Sequence, residues 1–92
     1  MQTIICYDVS DAKCRQRLVK YLMSFAYRLQ YSVFQCDIRS SEREKIQSRM
    51  AEIVKKDKTA AITVFPLCND CMGKTWSLGS PKEDYPDDAL II

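Results

Sequence analysis

The order of strand-like and helix-like segments is the feature that most constrains the fold of this chain. A short apolar run predicts a first strand over residues 2–8, and a 3.6-residue apolar stripe predicts a helix from about Ala12 to Ala26. The segment Arg28–Ile38 is rich in β-branched and aromatic residues, and a second helical pattern follows it. A nearly continuous apolar run, Thr59–Leu67, then predicts a last strand.

This order of strand, helix, two strands, helix and strand is the βαββαβ layout of a ferredoxin-like domain, which is an α+β sandwich. We expect Thr59–Leu67 to be a central strand covered on both faces, with Pro66 ending its ladder. The chain closes with the apolar residues Ala89–Ile92, which need a sheet edge to join. That edge belongs either to the same sheet or to the sheet of another protomer.

Local signals refine the two middle strands and the second helix. The apolar face changes phase near Ser32–Phe34, which indicates a bulge, kink or break. No Asn-Gly or Asp-Gly pair supports a tight hairpin there, so we expect one short strand leading into a longer one. Ser41–Glu44 fits a capping box that opens the second helix, which should end near Lys56–Lys58. Cys68–Lys74 is expected to be irregular.

Composition limits the class of protein and the chemistry. Ninety-two residues make one small domain, and no apolar stretch reaches the length of a membrane span. The five cysteines are scattered and odd in number, so we expect a reduced protein in the cytoplasm without a leader or a disulfide scaffold. The chain has no histidine, which excludes Cys-His and Ser-His catalysis and a two-histidine nuclease. Hydrolysis would therefore depend on carboxylates, a metal or arginines.

The charge is unevenly distributed. Residues 1–58 carry twelve Lys and Arg against seven Asp and Glu, while residues 59–92 carry two against five. On the first helix, cations occupy the side opposite the apolar stripe, where they oppose the helix dipole; they are Lys13, Arg15, Arg17 and Lys20. An anionic partner would explain them, and a solvated helix face is the alternative.

Asp8 is the lead candidate for a functional residue. It ends the first strand, and ligands bind at the carboxyl ends of strands in open α/β sheets. A carboxylate at such a point is usually solvated, paired or bound to a cation. The alternative is that Asp8 only caps the next helix, as Ser10 or Asp11 could do equally well. Both interpretations of Asp8 are compatible with the sequence.

Another candidate is Cys68-Asn69-Asp70-Cys71. A C-x-x-C pair can bind zinc or cycle as a dithiol, but the chain offers neither a histidine nor a second C-x-x-C to complete a zinc site. Two ordinary thiols in a loop are the simpler explanation. Trp76 and Tyr85 could stack on bases, although packing under the tail explains them equally well.

A set of residues resembles one known family. Tyr7-Asp8 ends the first strand, Arg15 and Arg17 lie on the following helix, and the segment Arg28-x-Gln30-x-Ser32-Val33-Phe34 follows. A Leu78-Gly79 pair precedes the tail. Together these features resemble the second CRISPR-associated protein (Cas-two), the small partner of the Cas integrase, over essentially the whole chain. Two departures are Ala26, where a glycine is common, and Gln35, where an acid often stands.

The resemblance implies a ferredoxin-like domain over residues 1–79 and a tail over residues 80–92 whose terminal strand adds to the partner protomer's sheet in a homodimer. It implies a Mg (or Mn)-dependent nuclease on RNA or DNA and a scaffold that bridges integrase dimers in spacer acquisition. Asp8 matches the metal-binding, catalytic acid. Arg15, Arg17 and Arg28 match positions expected to contact nucleic acid. Phe34 matches a supporting position, and Ser10 could ligate or orient although it is a good helix cap.

One acid per chain can still form a metal site. Magnesium is often held by one or two carboxylates together with waters and phosphate oxygens, and a two-fold dimer presents Asp8 twice. Two Asp8 side chains facing each other would hold a metal that activates water. The competing hypothesis is a non-catalytic DNA-binding scaffold, whose basic side chains hold the backbone of the duplex without reading bases.

Overall fold

The structure is a computed structural model that describes residues 1–79. Four antiparallel strands form one sheet in the order β2-β3-β1-β4, as in the predicted ferredoxin-like layout. The elements in chain order are β1 (Gln2–Asp8), α1 (Ala12–Met23), β2 (Tyr27–Gln30), β3 (Val33–Asp37), α2 (Ser40–Ile53), β4 (Ala61–Leu67) and α3 (Asn69–Gly73). The predicted α+β class is confirmed. Within the described residues, no helix is both long and apolar enough to span a membrane.

One face of the sheet carries the hydrophobic core. Alternate residues of β1 are buried because successive side chains of a strand point to opposite faces. Ile5 pairs directly with Phe34 of β3, and both side chains are fully buried. The two long helices cover this face with their apolar stripes, through the buried residues Cys14, Leu18, Leu22, Met50 and Ile53. The other face is uncovered in the part of the chain that the structure describes.

β4 is an edge strand of the described sheet, so its prediction as a central, doubly covered strand was wrong. Among residues 1–79 it pairs only with β1, and Val64 and Phe65 are 41% and 49% exposed. Pro66 does not end the ladder, since it pairs with Thr3 inside the strand. A proline lacks the N–H group that a ladder needs, and an edge strand tolerates this because one of its sides has no neighbour.

The connection between β2 and β3 is a tight hairpin, which the sequence did not predict. Only Tyr31 and Ser32 separate the two strands, and Gln30 pairs with Val33. No residue of this turn has positive φ, so it does not use the backbone that an Asn-Gly pair signals. The register shifts between Arg28 and Gln30, and this bulge accounts for the observed change of phase.

The first helix begins as predicted and ends three residues earlier than expected. Asp11 is its N-cap, and α1 ends at Met23 rather than Ala26. The hydroxyl of Ser24 donates to the carbonyl of Tyr21 at 2.6 Å and so closes the last turn. The chain then continues into β2, which begins at Tyr27.

The boundaries of the second helix also differ from the prediction. α2 begins at Ser40, so Ser41 is not its cap. Arg39 is the N-cap, and the side chain of Glu42 accepts a hydrogen bond from its backbone N–H at 3.3 Å. The helix ends at Ile53 instead of Lys56–Lys58, since the chain turns there toward β4.

The end of the described chain holds a short helix where an irregular segment was expected. α3 spans Asn69–Gly73, with Cys68 at its N-cap. The predicted tail and terminal strand over residues 80–92, including Tyr85, lie outside the described residues.

The packing of α1 predicts a large difference between two leucine truncations. Leu18 is fully buried and Leu78 is 86% exposed. Leu18→Ala should lower the free energy of unfolding by about 2–5 kcal/mol, because it removes buried surface and leaves a cavity. Leu78→Ala should change it by less than about 0.5 kcal/mol. Urea unfolding at one fixed protein concentration measures both, and equal losses would contradict the described core.

Candidate active site

Asp8 is an exposed carboxylate at the carboxyl end of β1. Its strand partner is Ala61, and strand alternation places it on the uncovered face of the sheet while Tyr7 points into the core. None of the ion pairs among residues 1–79 involves Asp8. The side chain of Asp11, not that of Asp8 or Ser10, caps α1 by accepting the N–H of Cys14 at 2.9 Å. The capping explanation of Asp8 is therefore wrong.

Asp57 fixes the loop that follows Asp8. Its Oδ2 accepts the backbone N–H groups of Ser10 and Asp11 at 2.8 and 2.9 Å. Its Oδ1 accepts both the N–H and the hydroxyl of Thr59 at 3.0 and 2.8 Å. These hydrogen bonds, that from Asp11 first, lower the pKa of the Asp57 carboxyl to about 2. Its role was not predicted, because only the local Asp-x-Thr turn is visible in the sequence.

Of the predicted arginines, Arg15 lies beside the Asp8 loop. Its Nη1 donates to the carbonyls of Val9 and Ser10 at 2.9 and 3.1 Å, so the guanidinium is held within two residues of Asp8. Arg17 is also exposed but lies about 200° further around α1, on the other flank of the buried stripe. The structure therefore brings Arg15, and not Arg17, to the loop. Contact of either residue with nucleic acid stays a prediction.

Arg28 is a buried residue and not a free surface cation. Only 6% of it is exposed, and its Nε and Nη2 donate to the carbonyl of Tyr31 at 3.2 and 2.9 Å. Its guanidinium also lies over the rings of Tyr31 and Phe34, at 5.5 and 5.7 Å from their centroids. Phe34 thus supports Arg28, and Arg28 holds the turn of the β2–β3 hairpin.

The same carbonyl also anchors the residue before Asp8. The hydroxyl of Tyr7 donates to the carbonyl of Tyr31 at 2.8 Å. Burial raises the pKa of the Tyr7 phenol, while the nearby Arg28 charge lowers it in part. Tyr7 consequently stays a neutral donor at physiological pH and ties the end of β1 to the hairpin.

The C-x-x-C pair lies at the opposite end of the sheet from Asp8. Leu67, which precedes Cys68, pairs with Gln2, so this motif lies about 20 Å from Asp8 along the strands. Cys68 Sγ accepts the N–H of Cys71 at 3.4 Å, and both thiols are exposed. Residues 1–79 contain no cluster of three or more His, Cys, Asp or Glu side chains suited to a metal.

A family model now connects this geometry with known proteins. Residues 1–75 match the model described as CRISPR associated protein Cas2, which covers all seven elements of the described fold. The chain belongs to the Cas2 family. The resemblance inferred from the Tyr7-Asp8 and Arg28–Phe34 segments is thereby confirmed.

Individual relatives agree with this assignment. A protein of Archaeoglobus fulgidus is 35% identical over 77% of this chain and 76% of its own length, and one of Synechocystis is 32% identical over 97% and 96%. Both are named CRISPR-associated endoribonuclease Cas2. The crystal structure of Streptococcus pyogenes Cas2 has a TM-score of 0.75 and 26% identity, covering 86% of this chain and all of that chain.

The donor set of this Cas2-family chain fits a hard divalent cation only in part. Asp11 is engaged as a helix cap and Asp57 in the loop, so among residues 1–79 Asp8 is the carboxylate available at this end of the sheet. A single carboxylate is compatible with magnesium, which keeps several waters and takes substrate phosphate oxygens as ligands. Residues 1–79 of one protomer therefore supply one such ligand, and a second protomer would supply another copy of Asp8.

The Asp57 hydrogen bonds predict a specific dependence of stability on pH. The pKa of this carboxyl is depressed on folding, so its stabilising effect is complete above its unfolded pKa, near 4, and is lost as the pH falls toward 2. The difference in unfolding free energy between the natural chain and Asp57→Asn should be constant above about pH 5 and shrink below pH 4. Urea unfolding at several pH values measures it, and a difference that grows in acid would contradict this role.

Proposed function

We propose that this Cas2-family chain is a divalent-metal-dependent endoribonuclease that acts as a homodimer, with Asp8 of each protomer at the catalytic site. The observation that carries the proposal is the position of Asp8, which is exposed at the end of the central strand and has no ion-pair partner in residues 1–79. The names of its relatives support RNA as the substrate.

The uncovered face of the sheet supports the homodimer. A row of paired residues crosses this face, namely Tyr27, Gln35, Ile4 and Phe65. Tyr27 is 71% exposed and Phe65 is 49% exposed, so the row offers apolar surface for association. Because Ile4, Cys6 and Asp8 share a face of β1, a two-fold contact through this surface would bring Asp8 close to the partner's Asp8 if its axis passes near the end of β1.

In the proposed mechanism, the two Asp8 carboxylates would hold a magnesium or manganese ion, and such an ion would supply Lewis acidity and activate water for attack. The protein's own groups position the reacting parts. Asp57 keeps the backbone after Asp8 in place. Arg15 is held beside that loop, and its remaining N–H groups can donate to phosphate oxygens of the substrate and offset their negative charge.

A second candidate function is that of a DNA-binding scaffold with the Cas integrase during spacer acquisition in the cytoplasm. It is favoured by the exposed cations of α1, none of which forms an ion pair within residues 1–79; they are Lys13, Arg15, Arg17 and Lys20. Such side chains bind the phosphate backbone without reading sequence, so affinity should fall steeply with salt. The two functions are compatible in one dimer, although both use Arg15.

Replacement of Asp8 tests the nuclease directly. Asp8→Asn should lower Mg-dependent cleavage of a labelled single-stranded RNA by about 100-fold or more, since even outer partners of metal ligands change activity by about 10–100-fold. Cleavage is followed over time on gels with Mg²⁺, with Mn²⁺ and with EDTA, and EDTA should abolish it.

The matched control is Asp70→Asn, which alters an exposed acid of α3 that forms only a surface ion pair with Lys74. It should cleave like the natural chain. Full activity of Asp8→Asn, with circular dichroism and oligomeric state unchanged, would refute the assignment of Asp8.

A further inference from the structure

A groove of about 870 Å³ lies between α1 and the β2–β3 hairpin, on the helix side of the sheet. We call it the α1 groove. Its volume falls in the range of sites that hold small molecules or single groups of larger ligands. The residues that decide its chemistry are Arg15, Val19, Lys20, Met23, Arg28 and Tyr31.

The charge of the α1 groove is entirely positive. Three cations line it, Arg15, Lys20 and Arg28, and no Asp or Glu does. Only 6% of Arg28 is exposed, and no carboxylate within residues 1–79 pairs with it. Its Nη1 is buried and has no hydrogen-bond partner among these residues. Because buried charges are normally paired, the positive charge of Arg28 adds to those of Arg15 and Lys20 and favours an anion in this groove.

The shape of the groove adds an aromatic surface to this charge. The ring of Tyr31 is held by the Arg28 guanidinium at 5.5 Å, yet 59% of Tyr31 is exposed. Val19 and Met23 add apolar wall from α1. A nucleobase is planar and stacks on aromatic side chains, while its own phosphate provides the anion. In a duplex the bases are stacked on one another, so a duplex could contact the groove only through its phosphates.

We propose that the α1 groove binds one unpaired nucleotide of a single-stranded nucleic acid, with its base against Tyr31 and its phosphate near Arg15 and Lys20. This inference rests on the proposed function in that the bound strand is the nuclease's substrate. Tyr7 also lines the groove, and the next residue, Asp8, points to the other face. The groove therefore holds the bound nucleic acid next to the end of β1.

Anisotropy of a labelled uridine hexanucleotide and of a labelled blunt RNA duplex tests the proposal, with EDTA present to prevent cleavage. Tyr31→Ala should weaken binding of the single strand by about fivefold or more, since stacking on an aromatic residue contributes substantially per base. Binding of the duplex should not change. Tyr31→Phe keeps the ring and should bind the single strand like the natural chain. The Tyr31 side chain is largely exposed, so these variants should fold.

A pair of charge reversals gives a second, independent measurement. Lys20→Glu changes a residue of the groove, and Lys45→Glu changes an exposed residue of α2 that does not line it. Lys20→Glu should weaken binding of the single strand more than Lys45→Glu does. Equal losses would show non-specific attraction and overturn the proposal, as would unchanged single-strand binding by Tyr31→Ala or an equal loss on the duplex.

Failure of this proposal is distinguishable from failure of the proposed function. Asp8 faces the other side of the sheet from the groove, so Asp8→Asn should abolish cleavage without the loss of single-strand binding that we expect of Tyr31→Ala. If Asp8→Asn still cleaves, the assignment of Asp8 as the catalytic residue fails, while the assignment of the groove as a binding site stands. If Tyr31→Ala binds normally while Asp8→Asn is inactive, the groove assignment fails and the nuclease stands.

Discussion

The alternation of side chains at the carboxyl end of β1 is the constraint on which the rest of the structure depends. Tyr7 points into the core and Asp8 points away from it, because neighbouring residues of a strand face opposite sides of the sheet. A shift of one residue in this register would bury the acid and expose the aromatic ring. The core thus determines on which face the candidate catalytic group lies.

The end of β1 is held by contacts from distant parts of the chain. The carbonyl of Tyr31 accepts hydrogen bonds from Tyr7 and from Arg28, so one backbone oxygen ties the strand to the hairpin. Asp57 secures the following loop from the connection between α2 and β4. In our proposal these contacts hold Asp8 in one orientation on the uncovered face and leave the α1 groove open on the other.

Most of the fold and the main candidate residue, Asp8, could be predicted from local periodicity in the sequence. The strand that ends at Asp8 and the start of α1 followed from short-range pattern, and the family was recognised from motifs that include Arg28 and Phe34. The edge position of β4 was missed because a continuous apolar run does not show whether its second face is covered by helices or left open. The hairpin turn and the role of Asp57 depend on partners 24 and 47 residues away, Tyr7 for the Tyr31 carbonyl and Ser10 for Asp57, which local pattern does not reveal.

The central claim is that two copies of Asp8 act together, and a heterodimer tests it most directly. Protomers with the natural Asp8 and protomers with Asp8→Asn, carrying different affinity tags, are purified as the mixed dimer, and Mg-dependent cleavage of single-stranded RNA is compared with both homodimers. If one site is shared across the two-fold axis, the mixed dimer should be nearly as inactive as the Asp8→Asn homodimer. If it retains about half of the natural activity, each protomer acts alone and the shared site is contradicted.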